Sequence, residues 1–471
     1  MEFRKFTPND QAAFAELSGD YNPMHINALV ARRLIYGSPV VHGIHTVLWA
    51  LDAWLKNQTG YLNLHSIDIA FPKPLRVDEE ARLSFTLVGE QHVKIEVISD
   101  ETIVTKIDFK WNSSGQPHDS SFATGFPTKV EPCVLQLEEI DGKSGVLDLY
   151  FNSESAANMF PNLTKCASSL QIAVLLATTR LVGMECPGYH SVFFELNLAA
   201  SNHDHKGTSL EYEVTKFDRR FGMIIMNLTA PGLSGVIQAF VRPTSQDQIS
   251  YSKAKKLVIA DEFSGQRALI VGGSRGLGEV SAKLLAAGGA EVMITYNQGR
   301  LEAHQIVDEI TSHGGLAELL SVDVLSSSQN VFYESPIEWI PTHLYYFATP
   351  VISAGSKGVF STKLFHKFCD YYITGFLNII NSPRCRNVKR VFHPSSIAVE
   401  EVPPDMVEYA AAKAAAELVC QNIKKARQPV VEIYCPRLLR MVTDQTVSLF
   451  PVNNEDPVPI MLNHLRVFRD L

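Results

Sequence analysis

Residues 267–315 alternate short apolar runs with helical stretches, and that alternation leaves few folds open. RALIVGG is followed by GEVSAKLLAAGG, then AEVMITYN, then LEAHQIVDEITSHGG. Strand, helix, strand, helix in that order predicts βαβ units and a parallel sheet. The first connection, GGSRGLG, carries glycines at 272, 276 and 278. A tight turn there aims backbone N–H groups and a helix N-terminus at an anion such as a pyrophosphate. Taken alone, the same spacing also suits a plain strand-to-helix connection.

The chain has 471 residues, too many for one core, and about three domains are expected. Two polar stretches rich in serine and turn residues divide it: NSSGQPHDSSFATGFP (112–127) and RPTSQDQISYSKAKK (242–256). They leave segments 1–112, 128–245 and 260–471. The first two share a plan. In the first, Ile44, Val47, Leu48, Leu51 and Leu55 make an apolar helix face, and strands such as SIDIAF, ARLSFTLVG and HVKIEVIS follow. In the second, QIAVLLATTRLVG precedes SLEYEVTKF, GMIIMNLTA and GVIQAFVRP. Each helix leads through Gly-Tyr and His-Ser into a strand (Tyr61, His65, Ser66; Tyr189, His190, Ser191). A helix followed by alternating strands predicts a sheet wrapped around that helix, here twice and side by side.

The formal net charge of −8 argues against a nucleic-acid or anionic-membrane partner. Seven scattered cysteines with no CxxC suggest reduced thiols and no metal centre. The start, MEFRKFTPNDQ, has no signal-peptide core. The longest apolar helix is interrupted by Thr179 and Arg180, so no membrane span is expected. The end, FRDL, is not a Ser-Lys-Leu address. A cytoplasmic location is expected.

The segment SGDYNPMHINALVARRLIYGSPVVHG, Ser18 to Gly43, concentrates polar chemistry. Asp20 and His25 flank an Asn22-Pro23 turn, which can bring both side chains to one water. Gly43 opens the apolar helix, where its N–H can meet a developing oxyanion. Adding water across a conjugated double bond needs a base, an acid and such a donor. The segment resembles the MaoC-like, (R)-specific enoyl-CoA hydratases of the hotdog fold, on Asp20, Asn22, Pro23, His25, Pro39, Val41, His42 and Gly43. The resemblance implies Asp20 and His25 as the acid–base pair and the Gly43 N–H as oxyanion donor. Asn27 stands where aspartate is usual. The second segment has no such cluster. Its candidates His190, His203 and His205 fall in a loop or at a strand start, and a zinc site from His203 and His205 lacks further spaced ligands; without the cluster, this half is expected to be a degenerate hotdog that completes a pseudo-dimer and shapes an acyl tunnel.

In the third segment, Tyr409 and Lys413 lie four residues apart in PPDMVEYAAAKAAAE and share a helix face, with Ser396 thirteen residues upstream of Tyr409. A lysine cation beside a phenol is expected to lower its pKa. With the glycine turn, these residues resemble the short-chain dehydrogenase/reductase family. The resemblance implies carbonyl reduction by a nicotinamide, with Ser396, Tyr409 and Lys413 as the triad. It implies a cofactor cradle of Gly272, Ser274, Arg275, Gly276, Leu277, Gly278, Tyr296, Asn297, Asp323, Val324, Ala348 and Thr349. The second strand ends in Tyr296-Asn297 without a carboxylate. Arg275 can meet a 2′-phosphate, so NADPH is expected. Three positions depart from the family pattern. Phe347-Ala348-Thr349-Pro350 replaces the usual Asn-Asn-Ala-Gly, Tyr372 replaces the relay asparagine, and the tail after PRLLRMVTDQT is short. Thr443 is the candidate neighbour of the nicotinamide amide.

The expected architecture is therefore an α+β double hotdog followed by an α/β Rossmann-type doubly wound parallel sheet. The expected function is bifunctional: (R)-specific 2-enoyl-CoA/ACP hydration or 3-hydroxyacyl dehydration, joined to NADPH-dependent 3-ketoacyl-CoA/ACP reduction. Each reaction makes the other's substrate. An acyl-CoA or acyl-ACP thioester, acyl carrier protein and a second copy in a homodimer are the expected partners. Three alternatives stay open: an active hydratase with a reductase-like unit that only binds nucleotide, a non-catalytic assembly module, and reduction of a sugar or small ketone.

Overall fold

A computed structural model describes residues 2–58, 60–114, 124–201, 207–327, 332, 339–355, 357–450 and 452–471. The chain forms two compact units, Met1–Thr244 with Ser448–Pro451, and Ser245–Val447 with Val452–Leu471.

The first unit is built on one ten-stranded sheet. Its strands are β1 (Phe3–Lys5), β2 (Tyr61–Ala70), β3 (Glu80–Gly89), β4 (His92–Ser99), β5 (Thr102–Ser114), β6 (Ser144–Asp148), β7 (Ser191–Ala200), β8 (Ser209–Asp218), β9 (Met223–Ala230) and β10 (Leu233–Val241). The spatial order is β1-β3-β4-β5-β2-β7-β10-β9-β8-β6. The two halves repeat one topology and meet at an antiparallel β2–β7 seam, from Ser66 opposite Ala199 to Ala70 opposite Glu195. Strand alternation buries one side of the inner strands, as at Val93, Ile95 and Val97 of β4. Against that face lie helices Gly43–Leu55 and Ser169–Arg180. The first buries eleven of its thirteen residues. A helix apolar nearly all round must be enclosed, and a curved sheet encloses it.

Two sequence-level expectations change here. The His-Ser letters do not mark equivalent positions: His65-Ser66 lies in mid-β2, whereas Ser191 opens β7. The stretch 242–256, expected to be a linker, contains most of the helix Tyr251–Leu257, with Tyr251 buried. Tyr251 carries the apolar area that anchors this short helix, although its neighbours are polar. Much of the other expected linker, at 115–123, lies outside the described residues, as do His203 and His205.

The second unit carries β11 (Arg267–Val271), β12 (Glu291–Tyr296), β13 (Leu316–Ser321), β14 (His343–Tyr346), β15 (Arg390–Phe392), β16 (Ser395–Ser396), β17 (Glu432–Tyr434) and β18 (Arg437–Leu438). Six of them form a parallel sheet in the order β13-β12-β11-β14-β15-β17. Ala268 and Ile270 of β11 join the core on one face, and Leu269 and Val271 join the core on the other. Burial on both faces explains why β11 is an unbroken apolar run rather than an alternating one. The order reverses between β11 and β14, where doubly wound sheets open a crevice at their carboxyl ends. Among the described residues, no helix is long and apolar enough to cross a membrane.

Candidate active sites

The helix Pro8–Ser18 stops at Gly19, whose φ of +77° is a left-handed cap that glycine adopts at little cost. The chain then turns inward. Asn22 accepts from Met24 N at 3.1 Å to start the turn Pro23–Ile26. Its amide donates to Gly183 O at 3.0 Å and to Gly188 O and Tyr189 O at 3.2 Å. The Asn-Pro turn is thereby anchored to the second half of the sheet.

This anchoring buries Asp20, 1% exposed. Its carboxylate accepts from Thr179 Oγ1 at 2.7 Å and from Asn22 N at 3.2 Å. His25 Nδ1 lies 2.8 Å from Val40 O. A carbonyl only accepts, so Nδ1 carries the proton and Nε2 keeps its lone pair. One ligand atom from each of Asp20, His25 and His42 falls within 4.8 Å of the others. His42 stacks on His25 with ring centres 3.9 Å apart. Its two nitrogens are taken by Gln11 Oε1 at 2.9 Å and Asp20 O at 3.0 Å.

Burial raises the Asp20 pKa, and the nearby His25 opposes that rise. Burial lowers the His25 pKa, and Asp20 opposes that fall. Their proton affinities are thus drawn together, as a pair that passes one proton requires. A cavity of about 70 Å³ lies beside them, lined among others by Asp20, His25, Gly43, Thr46, Phe71 and Thr179. Gly43 is the first residue of helix Gly43–Leu55. A Cβ there would stand 2.8 Å from the Phe71 ring. Among the described residues, its N–H has no hydrogen-bond partner.

Sequence reasoning missed Thr179 and Gly183. Gly183 lies in the π-turn Leu181–Glu185 after helix Ser169–Arg180. A Cβ on Gly183 would lie 2.2 Å from Asp20 Oδ1, so only glycine leaves room for the carboxylate. The letters show Thr179 only as a polar interruption of an apolar run, beside Thr178 and Arg180, and nothing in them ties it to Asp20. His190 ends up half-buried just before β7.

In the second unit, the glycine turn sits at the carboxyl end of β11. A Cβ on Gly272 would lie 2.8 Å from Ala348 N, and one on Gly278 would lie 2.3 Å from Gly272 O. Both positions therefore need bare backbone. Ser274, Arg275, Gly276 and Leu277 complete the turn into helix Gly276–Ala287, with Arg275 half-buried at its N-cap. Tyr296 ends β12, and Asn297 beyond it is exposed. Asp323 is exposed beyond β13 and accepts from Leu325 N at 3.0 Å. Val324 is buried, and its carbonyl accepts from Asn378 Nδ2 at 3.0 Å. Ala348 and Thr349 follow β14. Thr443 Cβ stands 3.7 Å from where a Gly276 Cβ would be. The expected cradle residues thus gather at the carboxyl ends of β11 to β14, and they fit a pyrophosphate-bearing nucleotide.

Ser396 lies on β16, and Tyr409 and Lys413 lie on helix Val407–Ala426. A hydrogen bond between the Ser396 and Tyr409 side chains brings these two together. The Tyr409 ring packs edge-on against Phe368 at 5.5 Å and Tyr372 at 5.9 Å. The expected lowering of its pKa is not found. Burial raises it, with only the Ser396 bond opposing. The reason lies in where Lys413 points: its Nζ donates to Pro394 O at 2.8 Å and lies 3.9 Å above the Tyr372 ring. Burial brings Lys413 down to about 8. The Tyr372 hydroxyl is 2.8 Å from Thr349 Oγ1.

Two family models match the chain: a MaoC like domain over residues 2–108 and short chain dehydrogenase over 266–448. A peroxisomal hydratase-dehydrogenase-epimerase of Saccharomyces cerevisiae is 34% identical over 68 residues, 14% of this chain and 8% of that protein. A 3-oxoacyl-[acyl-carrier-protein] reductase of Synechocystis sp. is 36% identical over 67 residues, 14% of this chain and 27% of that protein. The chain therefore matches less than a third of either relative. A short chain dehydrogenase from Burkholderia cenocepacia, solved in complex with NADP, superposes with a TM-score of 0.39 at 22% identity, covering 44% of this chain and 91% of that one.

Proposed function

The chain is a fusion of a MaoC-like domain with a short-chain dehydrogenase domain, and from that premise we propose a bifunctional acyl-thioester enzyme. Its first unit adds water to a 2-enoyl thioester or removes it from the 3-hydroxy product. Its second unit reduces the 3-keto thioester. The observation that carries this reading is the Asp20–His25 pair at one cavity with the Gly43 N–H. In hydration, His25 Nε2 takes a proton from water as its oxygen bonds C3. Asp20 delivers a proton to C2, and the electron pair pushed toward the thioester oxygen is held by Gly43 N–H. The proton on His25 then returns to Asp20, which restores the pair.

We assign residues 1–112 to the working hotdog, 128–245 to a degenerate second one and 260–471 to the reductase. The repeated strand order supports the double hotdog. The turn Leu163–Cys166 follows Asn162 as Pro23–Ile26 follows Asn22. Two residues before Asn162 stands buried Phe160 in the place of Asp20, and three after it stands Lys165 in the place of His25. The second half keeps the turn and lacks the acid and base. Its contribution to the first site is Thr179 and Gly183. In Gly183→Ala the new methyl displaces the Asp20 carboxylate, and kcat/KM for hydration is expected to fall about 10²-fold. Steady-state kinetics on crotonyl-CoA measure it.

A bound nicotinamide would supply the reducing electrons of the second reaction. Ser396 and Tyr409 would hold the carbonyl oxygen, with the phenol as proton donor. Arg275 and the absence of a carboxylate at Tyr296-Asn297 favour NADPH. Arg275→Ala is expected to raise KM for NADPH about 10–100-fold, with little change for NADH, the loss of a charged hydrogen bond to phosphate.

The thioester reading is supported by the named activity of the Synechocystis relative, and the pairing of a hydratase with a dehydrogenase by the name of the yeast one. The deciding experiment supplies acetoacetyl-CoA and NADPH and follows the products by mass and chirality. (R)-3-hydroxybutyryl-CoA and crotonyl-CoA are expected. Crotonyl-CoA hydration without ketone reduction would leave the second unit as a nucleotide-binding module, a reading that Tyr372 at the relay position favours.

A further inference from the structure

We infer that His393, Cys420 and Cys435 form a binding site for one thiophilic d¹⁰ cation, Zn²⁺ being the fitting one, on the second unit. The three residues are remote in sequence and converge through the fold. His393 follows β15, Cys435 follows the neighbouring β17, and Cys420 lies on helix Val407–Ala426. One ligand atom from each falls within 4.8 Å of the other two. Tetrahedral Zn–S and Zn–N bonds of about 2.3 and 2.05 Å need ligand separations of roughly 3.6–3.8 Å. A contraction of at most about 1.2 Å closes the site.

The histidine carries the stronger argument. His393 is 1% exposed. Its Nε2 lies 3.2 Å from Tyr372 O, which only accepts, so Nε2 holds the proton. Its Nδ1 is then a lone pair, buried and without a hydrogen-bond partner among the described residues, and the cluster sets a cysteine sulfur within 4.8 Å of the ring's ligand nitrogen. A backbone carbonyl fixing the far nitrogen is how metal-binding imidazoles are oriented. The ring cannot swing away. Tyr346 stacks on it at 5.3 Å and Phe376 meets it edge-on at 4.5 Å. Two sulfurs and an imidazole select a soft cation over Mg²⁺ or Ca²⁺.

Binding breaks two S–H bonds, forms two metal–thiolate bonds and releases two protons to solvent. One dication, two thiolates and a neutral imidazole sum to zero charge, which suits a buried position. The fourth position is left to water, reached past half-buried Cys435. Such a cation would tie the helix that bears Tyr409 and Lys413 to two strands of the sheet.

The test uses the reduced, chelator-treated full chain titrated with Co²⁺. One equivalent is expected to bind, with thiolate-to-cobalt charge-transfer absorption that Zn²⁺ abolishes by displacement. Cys435→Ser and His393→Gln are expected to lose the band. Cys385→Ser, a buried thiol outside the cluster, is expected to keep it. Should these variants misfold, the wild-type chain still decides: Zn²⁺ is expected to slow alkylation of Cys435 tenfold or more and to leave Cys133 unchanged. Absence of the charge-transfer band, its survival in Cys435→Ser, or unprotected alkylation overturns the site. So does a Cys420–Cys435 disulfide formed under mild oxidation in a chain that takes up no metal.

Discussion

Asp20→Asn is expected to lower kcat for crotonyl-CoA hydration by 10²–10⁴-fold, the usual weight of a general acid–base group, and to make the first unit more stable. Both effects have one cause. The carboxyl is buried, and burial disfavours its charged form, so its folded pKa stands above the usual 3.8. A raised carboxylate pKa means the folded state binds the proton more tightly than the unfolded one. Stability contributed by this group is therefore full below pH 3.8 and is lost as pH rises toward the folded pKa. At neutral pH the folded chain bears that cost. Asparagine removes it, keeps the shape, and lets the Thr179 hydroxyl rotate to suit its new partner. A gain of about 1 kcal/mol corresponds to roughly 2–4 °C in a unit of this size. Calorimetry at pH 7.5 measures the shift, and enone absorbance measures the rate. A destabilised variant would mean that Asp20 is a structural anchor rather than a group held at a cost for chemistry.

The pH dependence follows from the same pair. His25 has its pKa lowered below the usual 6.5 by burial, so its Nε2 stays free for water down to mildly acidic pH. Below that the imidazole takes up a proton and kcat/KM falls. On the alkaline side, activity declines as Asp20 loses the proton it donates. The two limbs belong to the pair rather than to either residue. For stability the His25 sign is the reverse of the Asp20 sign. A depressed histidine stays neutral in the fold where the unfolded chain would be charged, so stability present above pH 6.5 is lost as pH falls from there through the lower folded pKa.

Local chemistry was readable in the letters where a short motif must make its own geometry. The turn at Asn22-Pro23, the glycines at 272, 276 and 278, and the four-residue spacing of Tyr409 and Lys413 are all of this kind. Each is fixed by backbone torsion or helix pitch within a few residues. The parallel sheet was readable because β11 and β12 are apolar on both faces. Thr179 and Gly183 were not legible as parts of a site, because they reach Asp20 only after the sheet brings together residues about 160 positions apart. The direction in which Lys413 points was not legible either. Helix pitch places it on the same face as Tyr409, but the Pro394 carbonyl and the Tyr372 ring decide where its ammonium goes. Tyr251 shows the converse case, in which one buried ring makes a polar stretch part of a folded unit.

Tyr409→Phe is expected to lower acetoacetyl-CoA reduction by 10²–10⁴-fold, with NADPH affinity and crotonyl-CoA hydration unchanged. In the triad reading the phenol is the hydroxyl that gives up a proton. It bonds Ser396, and its ring is walled by Phe368 and Tyr372. A raised phenol pKa keeps that proton in place at rest, so release depends on a cation nearby when the substrate's oxygen gains charge. The triad reading assigns that part to Lys413, whose ammonium rests on the Pro394 carbonyl and the Tyr372 ring and has to turn from them; with a pKa of about 8 it is charged below pH 8 and loses its charge above. Reduction is accordingly expected to slow as pH rises through about 8, whereas an unshifted lysine would hold the rate past pH 10. Tyr372→Asn probes the same geometry from the other side. It removes the ring on which the ammonium rests, frees Lys413 to approach Tyr409, and is expected to move the alkaline limb upward. Hydration serves as the internal control throughout, since none of these residues lies in the first unit. If reduction in the wild-type chain survives loss of the Tyr409 hydroxyl, the proton comes from elsewhere and the triad assignment fails.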